Sequence, residues 1–175
     1  KHAFTTRIGG VSKGIYSSMN MSFSRGDDAA DVTENYRRIC EIIGTDYRRC
    51  VLSKQTHTTN IRIVTESDAG KGIICERDFD DTDGLITDVP GITLVTQFAD
   101  CTGLLFCDPK KRVIAASHAG WRGTAGEIGR LTVEKMHDSF GCDPGDIRAG
   151  IAPSIGPCCF EVDQPVIDQF EKIKS

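Results

Sequence analysis

The stretch 104-LLFCDPKKRVIAASHAGWRGTAGEIGRL-131 passes from an apolar tetrad through an Asp-Pro turn into small and β-branched residues. It then meets one histidine and one tryptophan and ends in a glycine-rich segment that looks helical. Aspartate and proline favour entry into a type I turn, so 104–107 and 112–117 read as two antiparallel strands around a turn at 108–111. In simple register this turn pairs Cys107 with Arg112 and sets Cys101 opposite His118, with Cβ atoms about 4.5–5.5 Å apart on one face. A bulge at Gly103 would shift that register by one. Beyond the histidine, Thr124 and Glu127 have the spacing of a capping box, which predicts a helix carrying Ile128, Leu131 and Met136.

Upstream, 28-DAADVTENYRRICEIIG-44 places Val32, Tyr36, Ile39 and Ile43 at helical spacing and closes on Gly44, the pattern of a helix with one buried face. Residues 51–65 read as two short strands around a polar middle, and 92–98 has strand composition. Residues 163–175 form an amphipathic helical pattern with Val166, Phe170 and Ile173 on one side and no terminating signal. Strands and helices mix without regular βαβ alternation, so the expected fold class is α+β, a sandwich of mixed β-sheet flanked by helices. A chain of 175 residues, 39% of them hydrophobic, is expected to form one domain over 1–175. The unstopped last helix and the non-methionine first residue suggest a fragment whose C-terminal portion is missing.

The net charge of −4 supplies no basic patch for a phosphate backbone, so nucleic acid is not an expected partner. No apolar run approaches the roughly 18 residues of a membrane span, and no charged-then-apolar leader opens the chain. The expectation is a soluble, cytoplasmic protein with no membrane partner. Eight cysteines at irregular spacing, two of them adjacent, read as reduced thiols rather than a disulfide framework.

A thiolate and an imidazole on one face are good zinc ligands, and a third ligand would leave a tetrahedral position open, as in catalytic zinc sites. Of the other three histidines, His2 opens the chain and His137 falls near a helix end, where histidine suits the dipole. His57 lies in 54-KQTHTTN-60, a polar interruption between apolar runs, and is the better third ligand. The same residues also read as a hydrogen-bonded core histidine beside a buried thiol. Spacing alone leaves both readings open.

Six segments together resemble one family: HAGWRG at 118–123, ADC at 99–101, Q-x-H at 55–57, T-R-x-G-G-V-S at 6–12, D-G-x-I-T at 83–87 and P-S-I-G-P-C-C-F-E-V at 153–162. They occur in the order seen in YfiH-like laccase-domain proteins, first named multicopper polyphenol oxidoreductases and now read as purine nucleoside phosphorylases. The resemblance implies a mixed-sheet α/β sandwich with His57, Cys101 and His118 as ligands of a metal, usually zinc. It further implies phosphorolysis of adenosine, inosine, guanosine and methylthioadenosine, with some adenosine deamination, and members that continue past residue 175. Three positions depart from the pattern: Thr58 where glycine is usual, Gly103 near a common proline, and Ala152 where glycine precedes Pro153.

Phosphorolysis requires a held phosphate, stabilisation of a cation-like sugar and a proton or electrophile for the departing base. Arg122, ahead of the expected capped helix, and Arg7, beside glycines that would let backbone approach a ligand, are the phosphate candidates. Asp83 and Glu161 are candidate carboxylates for proton handling or ribose binding, Asp83 ranking first. Asn20 and Gln55 are further polar candidates, and Trp121 is placed to stack on a purine or to wedge the packing. Three alternatives compete. A Cys101–His118 hydrolase would need no metal. A copper polyphenol oxidase would need more histidine-rich ligand sets than four histidines supply. A structural zinc module would need a fourth ligand, from Cys158 or Cys159.

Overall fold

The computed structural model describes residues 1–173. In chain order it contains α1 (Ala29–Ile43), β1 (Cys50–Leu52), β2 (Ile61–Ile63), β3 (Gly84–Thr87), β4 (Thr93–Val95), β5 (Thr102–Asp108) and β6 (Val113–Ala119). These are followed by α2 (Trp121–Ala125), α3 (Ile128–Phe140), β7 (Arg148–Ile151) and α4 (Gln164–Ile173). Five strands form one mixed sheet in the order β2-β3-β6-β5-β7, with β2 parallel to β3 and the other pairs antiparallel. Strands β1 and β4 form a separate parallel pair. This is the mixed-sheet α+β class that the sequence pattern predicts.

Side chains alternate between faces along a strand, so one strand can feed two cores. On β3 the neighbours Leu85 and Ile86 are both fully buried. Ile86 packs with Phe106, Val113, Ala115 and with Met136 of α3, whereas Leu85 packs with Val51 of β1, Val64, Phe79 and Ile92. The sheet is therefore covered on both sides. Burying each such aliphatic side chain contributes about 1.5–3 kcal/mol, which makes the two clusters the main support of the sandwich.

Helix α1 begins where Asp28 accepts a hydrogen bond from the Ala30 N–H at 2.8 Å and ends at Gly44 with φ 68°, a left-handed turn that glycine adopts without strain. Val32 and Tyr36 are buried as expected, but Ile39 and Ile43 lie at the margin while Asn35 and Cys40 take the centre of the face. The polar Asn35 is tolerated there because its amide is fully used. It accepts from Val11 N–H at 2.8 Å and donates to Ser12 Oγ, Ser18 O and Asn20 O, pinning 11–20 against α1.

Two local expectations need correction. The hairpin register is displaced by two residues, so that Asp108 faces Val113 and Gly103, not Cys101, faces His118. Asp108 accepts the Lys110 and Lys111 N–H groups and Arg112 turns left-handed at φ 59°, so the chain turns over 109–112. A slip of two preserves the face, and Cys101 remains on the side of His118. The capping box is also absent: Thr124 lies inside the five-residue α2, and Glu127, at φ 59° with no side-chain cap, is the kink between α2 and α3. Residues Ile128 and Met136 of α3 are nevertheless fully buried. In the C-terminal helix Val166 and Phe170 are half-buried and Ile173 is exposed; residues 174–175 lie outside the described residues.

Candidate metal centre

His118 occupies the penultimate position of β6, on the face turned away from α3, and is only 3% exposed. Its backbone N–H donates to Asp83 O at 2.7 Å, and its Nδ1 meets Asp83 Oδ1 at 2.7 Å. Asp83 immediately precedes β3 and is fully buried. Besides His118, its carboxylate accepts the consecutive N–H groups of Thr56, His57 and Thr58 at 3.0, 3.1 and 3.0 Å and the Thr58 hydroxyl at 3.1 Å. Burial alone would push this carboxyl up, but the N–H of Thr58, the His118 ring and the remaining donors outweigh it and hold it below its ordinary value. An ionised acceptor fixes the proton of His118 on Nδ1 and leaves Nε2 as a free lone pair.

The same carboxylate shapes the loop of His57. Successive N–H groups can converge on one anion only if the backbone curls, and His57 does so at φ 66°. Thr58, the departure at the position where glycine is usual, adds its hydroxyl to the cradle. The exposed His57 ring stands edge-on to His118, centroids 4.8 Å apart, with Nε2 3.9 Å from Cys101 Sγ.

Cys101, just before β5, completes the group: the ligand atoms of His57, Cys101 and His118 lie within 4.8 Å of one another. Zinc bonds of about 2.0–2.3 Å from one centre span donor pairs of roughly 3.3–3.8 Å, and the His57 Nε2–Cys101 Sγ separation of 3.9 Å is already close to that range. Space for an ion is kept by Gly120, where a Cβ would fall 2.7 Å from His57 Cδ2 and 3.3 Å from Cys101 Sγ. Donor chemistry, spacing and this reserved space all fit a single borderline-soft cation with an open position.

A metal-free thiolate nucleophile fits less well. Low-pKa cysteines sit beside positive groups. Burial and then the charges of Asp100 and Asp83 instead push the Cys101 thiol up, and the Nδ1 of His118 is already committed.

The other expected site residues are distributed differently. Gln55 bridges two loops, its Oε1 accepting from Ser53 Oγ and Gln97 N and its Nε2 donating to Gln97 O. Asn20 is occupied by Ser22 and Asp27. Arg7 is exposed and its guanidinium makes a long contact to Ser17 O at 3.4 Å. The glycines beside Arg7 serve the chain itself, because a Cβ on Gly10 would strike Ser18 O and Asn35 Oδ1. Arg122 lies in the first turn of α2, exposed, with its guanidinium 4.2 Å over the Trp121 ring, and the helix expected to be capped after it begins instead at Ile128 without a side-chain cap. Glu161, Cys158 and Cys159 are exposed, and neither cysteine belongs to the triad. His137 bonds Cys142 O at the end of α3. Sequence reasoning missed the roles of Thr56 and Gly120; the glycine inside HAGWRG was the available signal.

Fold and site together define a mixed-sheet α+β protein with an open His-Cys-His constellation at one end of its central strands. The chain belongs to the laccase-domain family described as multi-copper polyphenol oxidoreductase laccase, whose model matches residues 1–175. It is 42% identical to the purine nucleoside phosphorylase YlmD of Geobacillus stearothermophilus over 95% of its own length and 61% of that relative's. A more distant relative, the adenosine deaminase RL5 of an unknown prokaryotic organism, is 34% identical over 97% of this chain and 65% of its own. The crystal structure of Bacillus licheniformis hypothetical protein YfiH superposes with a TM-score of 0.92 at 37% identity, covering 97% of this chain and 64% of that one. The chain thus spans a little over three fifths of the length of these relatives. No described helix is long and apolar enough to cross a membrane.

Proposed function

We propose that this chain carries the metal centre of a zinc-dependent purine nucleoside phosphorylase that cleaves adenosine, inosine, guanosine and methylthioadenosine with phosphate. Adenosine deamination is a side activity of the same centre. The observation that carries this reading is the open His57–Cys101–His118 group, held by a buried carboxylate, in a chain whose relatives are named for nucleoside chemistry.

When bound, zinc would polarise a substrate oxygen or lower the pKa of a bound water to about 7. The protein's own contribution is positional. Asp83 is a positioning residue in this scheme: it holds the His118 proton on Nδ1, so that Nε2 presents its lone pair, and it pins the backbone of the His57 loop beside it. Arg122 and Arg7, both exposed, are the cations offered to phosphate, and Trp121, with one face taken by Arg122, offers its remaining surface to a base. Asn20 and Gln55 act through the loops they brace. A copper oxidase would need further ligand sets, and among the described residues one group of three close His, Cys, Asp or Glu ligands is present.

The test is an incubation of full-length protein with inosine or adenosine. Free purine should appear only with phosphate, alongside ribose 1-phosphate, and adenosine should yield some inosine without phosphate. Base release in water alone, or oxygen uptake with a phenol and no nucleoside turnover, would overturn the reading.

A further inference from the structure

Outside the triad, the closest exposed sulfur pair is Cys158 and Cys159, whose Sγ atoms approach to 3.1 Å in the turn that follows Gly156. Both are free thiols and both are exposed. The other close pair, Cys40 and Cys50 at 3.5 Å, is buried between α1 and β1, away from dissolved reagents. The turn is built from the Cys159 and Phe160 N–H groups, which donate to Gly156 O at 3.0 and 3.1 Å, so the backbone already folds the two side chains together. A hydrogen bond with Cys158 raises the Cys159 thiol above its ordinary value.

We propose that Cys158 and Cys159 form a reversible dithiol/disulfide site, oxidised by low-molecular-weight disulfides. One thiolate attacks a sulfur of the small disulfide, forms a mixed disulfide and releases one small thiol. The neighbouring thiolate then attacks the protein-side sulfur, closes the Sγ–Sγ bond and expels the second small thiol. In sum the protein gives up two protons and two electrons, and the small disulfide becomes two thiols. Adjacent Cα atoms are about 3.8 Å apart across a trans peptide, short of the about 4.4–6.8 Å usual for a disulfide, so the closed ring is strained and easily reopened. Such a bond is a switchable modification rather than a staple. It lies on the segment that borders the metal centre: Ala152 N–H donates to Gly103 O and Ile155 N–H to Asp100 O, next to Cys101.

The chain is tested folded, with zinc supplied. It is incubated with glutathione disulfide, alkylated after denaturation and digested with trypsin, since peptide 149–172 contains only these two cysteines. The expected product is this peptide with neither cysteine alkylated and two hydrogens lost, restored to the dithiol by excess reduced glutathione. Cys159→Ser should instead retain one glutathione on Cys158. Full alkylation of the oxidant-treated wild-type peptide, or a stable glutathione adduct on it, would overturn the proposal.

Discussion

Asp83 accepts five hydrogen bonds through one buried carboxylate, and among the described residues no other side chain touches so many parts of the site. Asp83→Asn keeps the shape but turns an N–H face toward N–H donors. At least one buried donor then loses its acceptor, a cost of about 1–3 kcal/mol. Metal affinity should fall about 10–100-fold, as it does when the partner of a ligating histidine is removed. Denaturant unfolding of the metal-free variant and chelator competition measure the two effects separately, and an unchanged affinity would detach Asp83 from the ligand set. Gly120→Ala tests the reserved space. Its Cβ crowds His57, which is exposed and can swing away, so metal affinity should drop at least about tenfold while stability changes by under about 1 kcal/mol. A large loss of stability with intact affinity would contradict that geometry. At this scale the triad was legible because histidine is scarce and His57 interrupts an apolar pattern. Asp83's buried, bracing geometry was not, since nothing in 83–87 shows that its carboxylate faces three N–H groups from a loop 25–27 residues earlier.

Helix α1 was legible for a different reason, a repeating period closed by a terminating glycine, and the β5–β6 hairpin because strand-like residues flank an Asp-Pro turn. Strands β3 and β7, four residues each, are too short to show a period. The register slipped because the sequence marks where a turn begins but not that the Asp108 side chain would cap it from within the strand. The capping box misled because its spacing is satisfied while Glu127 is left-handed. Asn35 shows the limit of reading a helix by its apolar stripe, since this residue, as fully buried as Val32, carries an amide that anchors another segment. Asn35→Ala leaves Val11 N–H and the Asn20 and Ser18 carbonyls without that partner, which should destabilise the protein by about 2–4 kcal/mol. Hydrogen exchange should quicken across 10–20 more than across the hairpin. Uniform loss of protection would mean that Asn35 supports the core and not the segment.

Over the whole molecule, buried carboxylates link stability to pH, Asp68 and Asp83 among them. Asp68 is 1% exposed between Arg62 and Lys71 at 2.9 and 2.8 Å, and Asp83 is fully buried. Burial pushes the Asp68 carboxyl up, but Lys71, the Thr65 N–H and Arg62 overcome this and hold it well below its ordinary value; Asp83 is lowered by its own donors. A carboxyl depressed on folding stabilises the native state above the unfolded value of 3.8, and that contribution is lost as pH falls below it. Stability should therefore be flat with respect to these groups above about pH 5 and decline steeply below about pH 4. Equilibrium unfolding between pH 3 and 6 checks this, and Asp68→Asn should flatten the acid slope. A slope unchanged in Asp68→Asn and Asp83→Asn alike would place the acid-sensitive groups elsewhere.

The metal centre is where residue, element and fold converge, because a loop, a strand start and a strand end each deliver one ligand to the same point. The most direct measurement is elemental analysis of purified wild-type protein and its Cys101→Ala variant after dialysis against trace zinc. The wild type should hold about one zinc per chain and the folded variant should lose it, the open three-ligand site having lost its thiolate. Full zinc occupancy in folded Cys101→Ala would contradict the site proposed for this chain.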